Sequence, residues 1–118
     1  MPEAASLYDS SLAFQVAAGR RVFEAQAGYA SWLGVNRSQV TRALRTGQRL
    51  GGRAAERSAG LAAVVGSLLT LMDEEAIPAW LLGVNAHLGH RRPIDLIHEG
   101  AVAEVMAAIE SERAGAFG

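Results

Sequence analysis

The feature that most limits the fold is an apolar run from Leu61 to Met72, LAAVVGSLLTLM. It is shorter than the roughly 20 residues a membrane-spanning helix needs, and Gly66, Ser67 and Thr70 interrupt it. Extended upstream to about Ala54, it places Leu61, Val64, Val65, Leu68 and Met72 at three- and four-residue steps, the period of one helix face. Such a helix has to be covered, either as the spine of the chain's own core or as the seam between two copies. Periodicity leaves both open. With 118 residues, half of them hydrophobic, and only three prolines, the chain is expected to be all-α, with one core and at most a small second lobe.

The absence of cysteine excludes disulfides and thiolate metal sites, and suits a reducing compartment. The opening MPEAASLYDS carries acids and no basic stretch ahead of an apolar core. No secretory leader and no membrane association are therefore expected, and the expected location is the cytoplasm.

A net charge of −1 conceals a strong asymmetry. Arg20 to Arg57 holds eight arginines (20, 21, 37, 42, 45, 49, 53 and 57) against two acids, a balance of +6, and the remainder holds three arginines against ten acids, a balance of −7. Every cation is arginine, whose planar fork suits phosphates and guanine edges better than an ammonium does. A solvated helix face is the ordinary reading of such a run.

Two near-copies of one phrase, SWLGVN at Ser31 to Asn36 and AWLLGVN at Ala79 to Asn85, raise the question of an internal repeat. Their flanks differ, so the repeat is rejected and each copy is read in place. Around the first, Ala30, Gly34 and Val40 supply a small residue, a corner tolerant of positive φ and a β-branched plug, at spacings of four and six. Asn36 is placed to cap a second helix over about Arg37 to Arg45, with Val40, Ala43 and Leu44 buried. This pattern resembles the helix-turn-helix of repressor-type DNA-binding domains. The outward face would carry Arg37, Ser38, Thr41, Arg42 and Arg45, the residues expected to contact operator DNA in the major groove. Trp32 is expected to pack. One such unit touches few phosphates, so DNA binding implies a dimer.

Around the second copy a helix should begin near Pro78 behind Asp73, Glu74 and Glu75 and stop at about Gly83. Asn85 can cap a turn holding Leu88, Gly89 breaks that turn, Pro93 opens PIDLIH, and a final helix over about Ala101 to Arg113 buries Val102, Val105, Met106 and Ile109. The series Trp80-Leu81, Asn85, Leu88, Pro93, Asp95-Leu96-Ile97, Gly100, Val105 and Ile109 resembles the toxin-binding domain of antitoxins of the Xre/MbcA/ParS type. In that family a helix-turn-helix also precedes this domain.

The resemblance implies a division into residues 1–72, a helix-turn-helix part with a long core helix, and residues 73–118, a small helical toxin-binding lobe. It implies a type II antitoxin with no cofactor and no enzymatic activity. Its partner would be a RES-domain toxin that depletes NAD+; the antitoxin would block that active site and repress the shared operon, as a homodimer or as a hetero-oligomer with toxin. Short broken helices would leave apolar side chains such as Trp80, Leu88 and Phe117 exposed, while most of Trp80, Leu81, Leu96, Val105 and Ile109 would form the lobe's core. Expected toxin contacts are Trp80, Asn85, His87, His90, Arg91, Arg92, Arg113 and Phe117, the last two on a free tail.

Two rival readings differ in class. An enzyme or metal site would draw on His87, His90 and His98 with Asp95 and Glu99, but Gly89 breaks the helix that would align the histidines and no third ligand is fixed by spacing. A stand-alone repressor would use the C-terminal lobe only to dimerise.

Overall fold

The computed structural model describes residues 15, 17–23, 26–46 and 50–117, and for 26, 116 and 117 the backbone alone. Arg49 and Gly47 lie outside the described residues, as does the Phe117 side chain. A helical stretch over 17–22 is followed by α1 (Gln26–Leu33), α2 (Arg37–Thr46), α3 (Gly52–Leu68), α4 (Ile77–Leu82), α5 (Pro93–Glu99) and α6 (Val102–Phe117). Single 3-10 turns occupy Glu74–Ala76 and Ala86–Leu88. The described residues contain no strand, only one isolated antiparallel bridge between Asn85 and Arg91. The fold is all-α.

The apolar run becomes the spine. Leu61, Val64, Val65 and Leu68 of α3 are wholly covered by this one chain, against α1, α5 and α6. The helix begins earlier than its apolar period suggests, at Gly52, and ends earlier, at Leu68 rather than Met72. After Leu68 the chain tightens: the Thr70 amide and hydroxyl both donate to the Ser67 carbonyl, at 3.1 and 2.6 Å. Leu71 and Met72 still pack on the core. Gly60 sits mid-helix, where glycine costs roughly 1 kcal/mol against alanine. Its reason is contact, because a Cβ there would fall 2.8 Å from Val102 Cγ2 and 3.5 Å from Ile97 Cγ2.

Helices α1 and α2 meet at a tight corner. Ala30 and Val40 are buried on either side of it, and Gly34 turns it with φ +89°. Asn36 caps α2 as expected: its Oδ1 accepts from the Gln39 amide at 2.9 Å. Gln39 Oε1 in turn accepts from the Asn36 amide at 2.9 Å, closing a reciprocal capping box. One expectation fails here. Leu44 is 41% exposed, and only Val40 and Ala43 are buried on α2. At 3.6 residues per turn the buried stripe runs between Val40 and Ala43, and Leu44 lies about 70° off its centre, over open solvent.

Trp32 packs as expected, its ring 5.6 Å from Phe23, 6.4 Å from Tyr29 and 5.8 Å from His98. The Tyr29 hydroxyl lies 2.7 Å from Ser58 Oγ on α3 and donates to the Gln15 carbonyl at 3.2 Å. Burial raises the Tyr29 phenol above its ordinary range, and the Ser58 hydrogen bond lowers it in part.

Downstream, the residues that specify turns act where the spacing put them. Pro78 lies in the first turn of α4 and Pro93 opens α5. Asn85 Oδ1 accepts from the His87 amide at 2.9 Å, Gly89 is left-handed at φ 65°, and Gly100 ends α5 at φ 93°. Gly83 follows α4 but in an extended conformation, φ −87°, so a left-handed cap is not what stops that helix.

Two expectations are corrected. Leu88, expected to be exposed, is 8% exposed, because the Asn85-capped turn packs against α6. The free tail from Arg113 is instead helical, since α6 continues to Phe117. A single buried cluster runs from Ala18 and Tyr29 through α3 to Ile109.

Candidate functional site

Two surfaces gather the residues expected to work. The first is the outer face of α2, where Arg37, Ser38, Thr41, Arg42 and Arg45 are all exposed. Helix period explains this, since the stripe holding Val40 and Ala43 faces α1 and leaves the opposite side in solvent. Ser38 donates to Asn36 Oδ1 at 2.6 Å, and Thr41 donates to the Arg37 carbonyl at 3.1 Å. Among the described residues, Arg37, Arg42 and Arg45 form no ion pair.

Two other arginines of the basic segment serve the fold. Arg21 pairs with Glu74 at 2.9 Å. Arg57, half-buried on α3, donates from Nη1 to the Leu33 carbonyl at 2.9 Å and from Nε to the His98 carbonyl at 3.0 Å. It thus satisfies an orphan carbonyl at the end of α1 and another in the last turn of α5. It also adds to the requirement for glycine at the corner, because a Cβ on Gly34 would lie 3.1 Å from Arg57 Nη1. Composition counts Arg57 with the other cations. Only the packing of α3 between α1 and α5 distinguishes it.

The second surface is the lobe of α4, α5 and α6, where the expected contact residues divide. Asn85 is buried, and its side chain caps the Ala86–Leu88 turn. Its backbone closes a loop, the amide donating to the Arg91 carbonyl at 3.0 Å and the carbonyl accepting from His90 at 2.9 Å. His87 and His90 are exposed. His90 takes φ 62° directly after Gly89, a backbone state uncommon for a side-chain-bearing residue.

The arginines of the lobe each have a carboxylate nearby. Arg92 grips Asp95 with Nε and Nη2, each at 2.8 Å, and Arg91 pairs with Glu99. Arg113 lies 3.5 Å from Glu110 and donates to Thr70 Oγ1 at 3.1 Å. The Arg92 fork holds the Asp95 carboxyl below its ordinary range. Hydrogen bonding to Glu99 raises Arg91, and hydrogen bonding to Asp95 raises Arg92. These pairs are exposed, so they fix side-chain direction more than they stabilise.

Trp80 is half-buried and its Nε1 is covered without a hydrogen-bond partner. It lines an open cleft of about 340 Å³ with Ala79, Gly83, Val84, His87 and Glu112. Val84, which sequence reasoning passed over, is 71% exposed, and Leu82 is 40% exposed. Leu82 closes a helix that already buries Ile77 and Leu81, and Val84 follows just beyond it, which was the available signal.

Among the described residues, no three His, Asp or Glu side chains converge to hold a metal ion, and no helix is long and apolar enough to cross a membrane. No protein-family model, curated protein or solved structure matches the chain.

Proposed function

We propose that this chain is an antitoxin of the Xre/MbcA/ParS type, which binds a RES-domain toxin through the α4–α6 lobe and blocks its NAD+ site. The α1–α2 pair is then a helix-turn-helix, and α2 docks in the operator's major groove to repress the shared operon. One observation carries the reading. In the series from Trp80 to Ile109, the turn-forming positions Asn85, Pro93 and Gly100 begin or end helical turns. The apolar positions Leu81, Leu88, Leu96, Ile97, Val105 and Ile109 are buried. The residues that carry the resemblance are thus ones that shape the lobe. The exposed arginines of α2, without an ion pair among the described residues, support the DNA-binding half.

The test is growth and cellular NAD+ when the neighbouring reading frame is induced with and without this chain. Rescue of both is expected. A toxic neighbour left unneutralised, or a harmless one, would overturn the toxin reading. The second reading, a stand-alone repressor whose lobe only dimerises it, is favoured by the same α2 face. It predicts specific promoter binding by this chain with no neutralisation.

A further inference from the structure

The cleft between α4 and α6 combines three features that no helix of this chain satisfies. Its wall is mixed: Ala79, Val84 and Trp80 supply carbon surface, the covered Trp80 Nε1 leaving only carbon of the indole exposed, and Asn85 and His87 add polar surface. Small residues, Ala79, Gly83 and Ala86, leave it open to approach. Its one carboxylate is Glu112 of α6, half-buried and without an ion pair among the described residues, because neighbouring Arg113 already faces Glu110.

We infer that this cleft seats an arginine side chain of the protein partner, its aliphatic stem along Val84 and Trp80 and its guanidinium on Glu112. The inference rests on the toxin-binding reading above and names the chemistry of the contact. A guanidinium suits both walls, since it stacks flat on an aromatic face and offers paired N–H groups to a carboxylate.

The alternatives fit less well. An aliphatic guest would cover the Glu112 carboxylate without replacing its lost hydration. An acidic or phosphorylated guest would meet that carboxylate as a like charge. A dinucleotide needs a pocket that covers most of its surface, and an open cleft of about 340 Å³ does not. Charge agrees, because Glu112 is the carboxylate among the cleft's lining residues and no arginine is among them.

The first experiment needs no partner. The folded chain is titrated with N-acetyl-arginine N-methylamide, and separately with the citrulline analogue, which keeps the shape and lacks the charge, while amide and indole resonances are followed. Shifts at Trp80, Val84 and Glu112 saturating in the millimolar range are expected, with citrulline weaker by about tenfold. Glu112→Gln should abolish that preference while leaving the remaining spectrum in place. Absent shifts, equal response to both probes, or a preference retained in Glu112→Gln would each overturn the inference.

The second experiment measures affinity for the purified product of the neighbouring reading frame. Glu112→Arg should weaken it by roughly 30-fold or more. If the wild-type chain binds and Glu112→Arg binds equally, the cleft assignment falls and the antitoxin reading stands. If the wild-type chain does not bind, the antitoxin reading falls, and the probe titration still decides the cleft.

Discussion

Among the described residues, the three guanidinium groups on α2 stand in solvent without an ion pair, whereas in the lobe Arg91, Arg92 and Arg113 each face a carboxylate. The same residue type is thus used in two ways. A cation held by its own acid orients a loop or a helix end and projects little field. A cation without one keeps its field for a polyanion, and three on one helix face concentrate it. Arg57 stands between the two regions and belongs to neither group, since both of its contacts are backbone carbonyls.

The contrast breaks most readily on DNA. On the proposed DNA-binding reading, replacing Arg37, Arg42 and Arg45 together by alanine should lower affinity for the chain's own promoter about a thousandfold, at roughly 1–3 kcal/mol for each guanidinium. Replacing Arg91 and Arg92 should leave promoter affinity unchanged. Fluorescence anisotropy across a salt series checks both, and the slope of log affinity against log salt should flatten only in the first variant. Equal losses from the two variants would mean that pairing with acids does not separate the regions.

The next largest effect concerns the tie between them. Arg57→Met keeps the aliphatic stem and removes both hydrogen bonds, leaving carbonyls of α1 and α5 without their donor. A loss of about 2 kcal/mol in denaturant unfolding is expected, near the range for hydrogen bonds from a charged donor. Arg57→Lys should recover less than half of it, because one ammonium cannot reproduce the fork. A loss no larger than that of Arg53→Met, at an exposed position on the same helix, would show that Arg57 holds nothing together.

A smaller effect separates contact from support within the lobe. Asn85→Ala removes the acceptor for the His87 amide and should cost about 1 kcal/mol, the usual worth of an N-cap. Asn85→Ser, which keeps an acceptor, should recover part of it. If toxin affinity falls only in proportion to lost stability, Asn85 acts through the turn it caps. An affinity loss with stability intact would return it to the contact surface.

What the sequence made legible follows from the range of the interactions. Local rules placed the corner at Gly34, the Asn36 cap, the Asn85 turn and the start at Pro93, because each depends on neighbours within about four residues. The apolar period identified α3 as a covered helix but could not say by what. Its burial within one chain is a matter of packing against α1, α5 and α6. Leu88 was misjudged for the same reason, being apolar on a short turn covered by α6, whereas Leu44 was misjudged locally, lying just off the buried stripe of a helix that packs on α1, its neighbour in sequence. The α2 face was readable from helix period. The roles of Arg21, Arg57 and Glu112 were not, because their partners, or the lack of one, arise from separations of tens of residues or from which of two acids Arg113 faces.

The smallest effect tests whether the lobe's ion pairs are as slight as their exposure suggests. Asp95 occupies the first turn of α5, and its side chain is 43% exposed while gripped by Arg92. Its carboxyl is held below the unfolded-chain value of about 3.9, so the unfolded state takes up the proton first as pH falls. The stabilisation is therefore complete above about pH 4 and lost as pH drops through the lower folded value. Solvent screening limits it to about 0.5 kcal/mol. Asp95→Asn should be less stable than wild type by that amount at pH 7, and the difference should shrink as pH falls below about 4. A difference several times larger at pH 7 would make the Arg92–Asp95 pair a structural support comparable to Arg57, and the contrast between exposed pairs and the carbonyl-bound guanidinium would no longer hold.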